Sequence, residues 1–340
     1  MLEIMENVDI RDYTTFKVGG KFRYFTKLSD TLELLALYEF AKEKKLPVHI
    51  LGGGSNMVFP DGTFECVVVK IEFCGFELIA ETDEYADLKI GAGENWDYVV
   101  ECAVEVNLSG IEAMSAIPGT CGATPVQNVG AYGQEIKDSL VSVDVYDTKD
   151  NKFKTLSKVY CEFSYRNSIF KGEAKGRYVI IAVTLRLSKG LPKIPNYPGV
   201  KTYFIEKSIN SPTLFQIREA IIEIRKKKLP DPKEIPSAGS FFKNPIVDRH
   251  IAHELKMKYP ELTTFPTGDD LVKIPAGFLI ETAGLKGRDF GAVSVYPNNA
   301  LVLVNNGNAT RADVEKVRDQ IIRTIFEKFD ITLETEPEFV

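Results

Sequence analysis

The feature that most constrains the fold is a run of 17 residues, 117–133, reading "IPGTCGATPVQNVGAYG", with four glycines, two prolines and a scatter of Thr, Gln and Asn. Such a run can continue neither a helix nor a strand, so it must be a long shaped loop held by its surroundings. A shorter partner, "GGGSN" (52–56), follows directly on the apolar segment "PVHIL". Glycines this dense let backbone N–H groups approach an anion, and Ser55, Asn56, Gln127 and Asn128 add side-chain hydrogen bonds. Two strand-to-loop cradles suggest a diphosphate. Neither a G-x-G-x-x-G helix opening nor a G-x-x-x-x-G-K-[ST] run occurs, which excludes the dinucleotide fold and the P-loop enzymes.

Around these loops the periodicity is mixed. Helices are expected over 31–45 behind an Asp30 cap, over "WDYVVECAVEVN", over "TLFQIREAIIEIRKKK" up to the prolines of "LPDP", and over "TRADVEKVRDQIIRTIFEKF". Strands are expected at "PVHIL", "CVVV", "DLKIGAG", "LVSVDVYD", "RYVIIAVTLRL" and the terminal "ITLETE". Residues 188–201 hold three prolines and two glycines and read as a linker or mobile loop. At 340 residues the chain is long for one core, and a division near residue 190 is expected.

Composition removes several classes of function. A net charge of -6 argues against nucleic acid or an anionic membrane as the main partner. No apolar run reaches membrane-spanning length, and the acidic start does not resemble a signal peptide, so a cytoplasmic protein is expected. The five cysteines (Cys66, Cys74, Cys102, Cys121, Cys161) suit neither zinc nor a disulfide framework and read as free thiols. His250 and His253 lack a third ligand and read as a surface helix pair; no metal site is expected.

Five ordered motifs then carry a resemblance: "GGGSN", "IPGTCGATPVQNVGAYG", "YRNSIFK" (165–171), "KLPDP…AGSFFKNP" (228–245) and "LETE". Together they resemble the MurB family of UDP-N-acetylenolpyruvoylglucosamine reductases, from about residue 10 to the end. The proline-rich insert with Tyr197 is similar to the longer, type I branch. The resemblance implies an α+β chain, with an FAD-binding domain of the vanillyl-alcohol-oxidase/PCMH-like type followed by a smaller α+β substrate-binding domain. Residues 1–190 would form the FAD-binding region, as two subdomains split near 60–70. Residues 191–212 would be a loop or linker bearing Tyr197, 213–330 the substrate-binding domain, and 331–340 a C-terminal strand returning to the active site.

It also implies non-covalent FAD, NADPH as co-substrate in the site the substrate uses, and a monomer reducing UDP-N-acetylglucosamine enolpyruvate to UDP-N-acetylmuramate. FAD would lie against Gly52, Gly53, Gly54, Ser55 and Asn56 of the first loop. From the second loop it would take Pro118, Gly119, Thr120, Gly122, Ala123, Gln127, Asn128, Gly130, Ala131, Tyr132 and Gly133. Arg166 would clamp the substrate carboxylate with Tyr165 beside it, since a guanidinium is permanently charged and bidentate. Ser240 would give a proton to the carbanionic carbon, helped by Lys243 or water. Tyr197, Lys228 and Asn244 would hold the UDP end. In "RKKK" only Lys228 is assigned a role; Arg225, Lys226 and Lys227 read as a solvated helix end.

The terminus departs from the family. Its members usually read Glu-Val-Arg, whereas this chain reads Glu336-Pro337-Glu338. On a strand Glu334, Glu336 and Glu338 share a face, so periodicity cannot choose among them. Alignment of the ends places the catalytic glutamate at Glu336 and leaves Glu338 solvated. Two rivals remain: a sugar or alcohol oxidase with flavin tethered through His49 or Cys121, and an inactive nucleotide-sugar-binding protein.

Overall fold

In a computed structural model describing residues 2–268 and 270–340, the alternating segment "LVSVDVYD" is the strand Leu140–Asp147. It pairs antiparallel with Lys152–Ser157 on one side and Tyr178–Ser188 on the other. Tyr85–Gly91 and Phe76–Glu81 complete a five-stranded sheet. A second sheet orders Met5–Asp9, Lys21–Leu28, Thr63–Ile71 and Val48–Leu51, the last two parallel. The helices are α1 (Glu33–Lys44), α2 (Trp96–Glu105), α3 (Ile136–Ser139), α4 (Pro198–Glu206), α5 (Leu214–Lys228), α6 (Arg249–Lys258), α7 (Ala276–Thr282) and α8 (Arg311–Phe329).

Local chemistry explains the ends of the helices. Asn95 caps α2, its Oδ1 accepting from the Tyr98 amide at 3.0 Å. Thr310 and Asp313 form a reciprocal capping box at the start of α8, which buries Val314, Val317, Ile321 and Ile325 along one stripe. The expected helices and most of the expected strands form. His250 and His253 are both exposed on α6.

Packing divides the chain into two interleaved units. One comprises residues 1–8, 22–54 and 65–226; the other comprises 9–21, 55–64 and 227–340. The first unit holds both larger sheets and a core that includes Trp96, Val143, Val183 and Tyr146. The second packs Phe241, Phe242, Leu279, Val293 and the buried stripe of α8 around Ser237–Ser240, Val302–Asn305 and Val293–Val295.

Two expectations are corrected. The 188–201 segment is not only a linker, because Pro198 opens α4, where its missing N–H costs nothing. Val200 and Phe204 of α4 are buried against Ile217 and Ile221 of α5. The terminal "ITLETE" is not a strand either. Thr335 alone bridges Phe242, the chain bends at Glu336 and Pro337, and Glu338–Phe339 then pairs parallel with Met57–Val58. Proline cannot donate to the first ladder, so the chain leaves it and joins another.

Candidate active site

In the first unit the two glycine loops are packed onto each other. A Cβ on Gly53 would stand 2.6 Å from Gly119 Cα, and one on Gly52 would stand 2.8 Å from Thr120 Oγ1. Gly122 lies as tightly on Ala92. These three glycines therefore serve close backbone approach, which the sequence had attributed to the anion alone. Gly54 and Gly119 supply left-handed backbone, at φ 61° and 133°. The entrance to α2 fixes the first half of the long loop. Trp96 N donates to Gly119 O at 3.1 Å, Cys121 N to Glu94 O at 2.8 Å and Gly122 N to Ala92 O at 2.9 Å. Pro118 is exposed, while Thr120, Ala123 and Gln127 are half-buried.

The second half of the loop ends in a small hairpin, Gly130–Ala131 against Gln134–Glu135. Asn128 is fully buried and its amide is committed. Its Nδ2 donates to Glu135 Oε2 and Ser164 O at 3.0 Å each, and its Oδ1 accepts from Lys137 N at 3.3 Å. The Asn128 side chain thus shapes the loop. Arg166 stands on the hairpin, Nη2 donating to Gly130 O at 2.6 Å and Nη1 to Asn128 O at 3.4 Å. Its guanidinium is 5.5 Å from the centre of the Tyr165 ring. Tyr132, at φ 49°, meets Tyr197 edge-on at 5.1 Å. Gly133 completes the turn at φ 90° and is exposed.

In the second unit Ser240 follows a bulge. Ser237 pairs with Val304 and Ser240 with Val302, so three steps on one strand match two on its partner, and Gly239 takes φ 71°. A bulge of this kind re-aims the side chain after it. The Ser240 hydroxyl makes no hydrogen bond among the described residues, and Phe241 and Phe242 behind it are buried. The terminal segment lies alongside: Glu336 N donates to Phe241 O at 2.9 Å and Lys243 N to Glu334 O at 2.9 Å. Lys243 Nζ also pairs with Glu334 Oε2 at 3.0 Å. Asn56, expected at the cofactor, holds this segment: its Nδ2 donates to Glu336 O at 3.3 Å and its O accepts from Glu338 N at 2.9 Å. Ser55 beside it is half-buried. Asn244 Oδ1 accepts from Ala276 N at the start of α7, and Lys228 is exposed at the end of α5. Glu338, expected to be solvated, is half-buried in its strand.

Residues 23–157 match the FAD-binding domain family, and residues 231–340 match the C-terminal domain of UDP-N-acetylenolpyruvoylglucosamine reductase. Over 337 residues the chain is 41% identical to UDP-N-acetylenolpyruvoylglucosamine reductase of Flavobacterium johnsoniae, covering 98% of this chain and 99% of that one. The chain belongs to the MurB family. The reductase of Bdellovibrio bacteriovorus is 40% identical, with 99% of each chain covered. The fold is also that of the Thermus caldophilus MurB crystal structure, at a TM-score of 0.67 and 22% identity, with 100% of this chain and 98% of that one covered.

The MurB assignment and the loop chemistry agree on FAD. The chain carries an FAD-binding domain, and its two apposed loops offer backbone amides and small side chains suited to a diphosphate. Gly52–Gly54 and the 118–133 loop are the residues that would hold it. Cys121 is buried in the core, and burial pushes its thiol far up, so it stays neutral and is no nucleophile for a flavin tether.

One MurB-loop partner was missed in the sequence. Lys226 and Lys227 are exposed as expected, but Arg225 is half-buried and near enough to Tyr132 to feel its side chain electrostatically. Burial pushes its guanidinium below the ordinary value, against the opposing pull of Tyr132 and Asp97. The i, i+7 spacing from Arg218 was the available signal, because it puts two arginines on one face of α5.

Proposed function

We propose that this chain reduces the enolpyruvyl ether of UDP-N-acetylglucosamine to UDP-N-acetylmuramate, consuming NADPH and a proton, in the making of peptidoglycan precursors. Its full-length kinship with named reductases supports the reaction. The single structural observation that carries it is the 2.9 Å hydrogen bond from Glu336 N to Phe241 O, which keeps the acid next to the Ser240 bulge.

FAD, when bound, would supply the two-electron chemistry between NADPH and the enolpyruvyl double bond. Arg166 binds the substrate carboxylate and offsets the charge that develops on it, its position already set by two loop carbonyls. The Ser240 hydroxyl gives its proton to the carbon beside that carboxylate. Serine is a weak acid, but a carbanionic carbon is basic enough to take the proton, and Lys243 or water restores it. Glu336 supports this acid from the adjoining segment. Tyr165 adds a donor beside Arg166, and Tyr197, Lys228 and Asn244 engage the UDP moiety.

In this reading residues 1–190 serve the flavin, 191–212 cover the nucleotide and 213–330 bind the sugar nucleotide, with 331–340 bringing Glu336 to the site. The protein works as a cytoplasmic monomer without nucleic acid. No helix among the described residues is long and apolar enough to cross a membrane. The test is NADPH consumption by the flavin-loaded protein with and without the enolpyruvyl sugar. Sustained turnover only when that sugar is present, with UDP-N-acetylmuramate as product, supports the assignment. Flavin bleaching without product overturns it.

A further inference from the structure

Helix α5 reaches both ends of the flavin loop. At the far end Arg225 lies within electrostatic reach of the Tyr132 side chain. Seven residues earlier, hence on the same face, Arg218 is only 7% exposed and forks onto Asp97. Its Nη2 lies 3.1 Å from Asp97 Oδ2, and its Nη1 bonds Oδ1. Asp97 Oδ1 also accepts the Ala116 amide at 2.6 Å. Ala116 is the joint where the chain enters the loop, and it sits at φ 58°, a left-handed conformation that costs a non-glycine residue energy and persists only when its surroundings impose it. The neighbouring Trp96 Nε1 ties Met114 O at 3.1 Å, so this end of the loop hangs on two consecutive residues of α2.

We propose that Asp97 and Arg218 are positioning residues for the flavin: they hold the strained Ala116 entrance, so that the 117–133 loop is shaped before the cofactor arrives. The inference rests on the FAD reading above. A preformed loop spares the ordering cost at binding, so losing the brace shows in cofactor affinity as well as in stability. Burial works to raise the Asp97 carboxyl, but the Arg218 and Ala116 hydrogen bonds outweigh it and hold it below the ordinary range, as a committed anion requires.

The experiment titrates FAD into apoprotein by quenching of flavin fluorescence and measures melting temperature with and without FAD. Wild-type protein that fails to bind FAD would overturn the flavin reading itself. Given wild-type binding, Arg218→Met and Asp97→Ala are expected to weaken FAD binding about tenfold or more. The melting temperature should fall further in the loaded than in the empty protein. Arg218→Lys, the milder change, keeps the charge but not the fork and should lie between. Arg177→Met, which breaks a pair with Asp147 in the five-stranded sheet, should lower both melting temperatures equally and spare FAD binding. Equal losses of melting temperature with unchanged FAD affinity in Arg218→Met or Arg218→Lys would overturn the proposal.

Discussion

Glu336 and Phe241 are joined backbone to backbone, the amide of the one donating to the carbonyl of the other at 2.9 Å. Because Ser240 directly precedes Phe241, that bond sets the distance between a hydroxyl and a carboxylate lying 96 residues apart in a chain of 340. Fully buried Phe241 packs edge-on against Phe242 and Phe339, so the apolar bulk beside Ser240 fixes the strand that carries it. Truncating either Phe241 or Phe242 to Ala would cost about 3–5 kcal/mol.

The role assigned to Ser240 separates the two half-reactions. Ser240→Ala is expected to let NADPH bleach the flavin at near wild-type rate. Reoxidation by the enolpyruvyl sugar should slow by at least ~10²–10⁴-fold, the range for a lost general acid. Stopped-flow absorbance resolves both phases, and equal slowing of the two would remove Ser240 as the proton donor.

The terminal glutamates make a sharper test now that the chain is known to bend between them. Glu334 is exposed and paired with Lys243, and Glu338 is paired through its backbone with Met57. Only Glu336 sits at the bend beside Phe241. Glu336→Gln should abolish enolpyruvyl reduction and spare flavin reduction, whereas Glu334→Gln and Glu338→Gln should keep most activity. Steady-state rates of the three variants decide it; a dead Glu338→Gln would shift the register by two residues.

Where local chemistry dominates, the sequence was readable. Alternation located Leu140–Asp147, and apolar periodicity located α2 and α8. The glycine motifs marked the two loops that form, though not that Gly52 and Gly53 serve contact with the other loop. What could not be read depends on distant partners. Helix α4 exists because Val200 and Phe204 find α5, and the terminal strand breaks because Glu338 finds Met57. Arg225 looks like its exposed neighbours until Tyr132 stands beside it.

Asp147 predicts an acid-sensitive fold. It is wholly buried at the end of its strand, where Arg177 donates to its carboxylate at 2.9 and 2.7 Å and Lys154 at 2.6 Å. The Arg177 hydrogen bonds, opposed by burial and aided by Lys154, hold its carboxyl far below the usual carboxylate range. A depressed value means the folded state favours the anion, so its stabilisation is complete above the unfolded value of about 4 and fades as pH falls below it. Asp147→Asn should lower the melting temperature at neutral pH and narrow its gap to wild type toward pH ~2. A constant gap across that range would assign the loss to packing alone.

Tyr197 stands at the N-terminal end of α4 with its ring edge-on to Tyr132. Tyr197→Phe keeps that ring contact and removes only the hydroxyl. The KM for the enolpyruvyl sugar should rise several-fold while flavin reduction by NADPH changes less, the pattern of a cover that touches the nucleotide. An unchanged KM would leave Tyr197 a packing residue.

Gly53 and Gly52 differ in what an added methyl would meet, and that difference ranks two variants in advance. In Gly53→Ala the new Cβ would stand 2.6 Å from Gly119 Cα, a backbone atom held in place by Trp96, so the two cofactor loops must separate. In Gly52→Ala it would meet Thr120 Oγ1 at 2.8 Å, which a rotation of the threonine relieves, and Ala123 Cβ at 3.2 Å. Overpacking of the first kind costs about 1–3 kcal/mol, or roughly 5- to 150-fold in binding if the loops part only when FAD is absent. Gly53→Ala is therefore expected to weaken FAD binding by that factor, and Gly52→Ala by only a few-fold. Thr120→Ser, which removes the methyl and keeps the hydroxyl, should leave Gly52→Ala no better, whereas Thr120→Ala should restore it by removing the clashing atom. Fluorescence titration of the four apoproteins reads the order, and a Gly52→Ala loss as large as that of Gly53→Ala would mean that the first loop meets the flavin itself more closely than it meets the second.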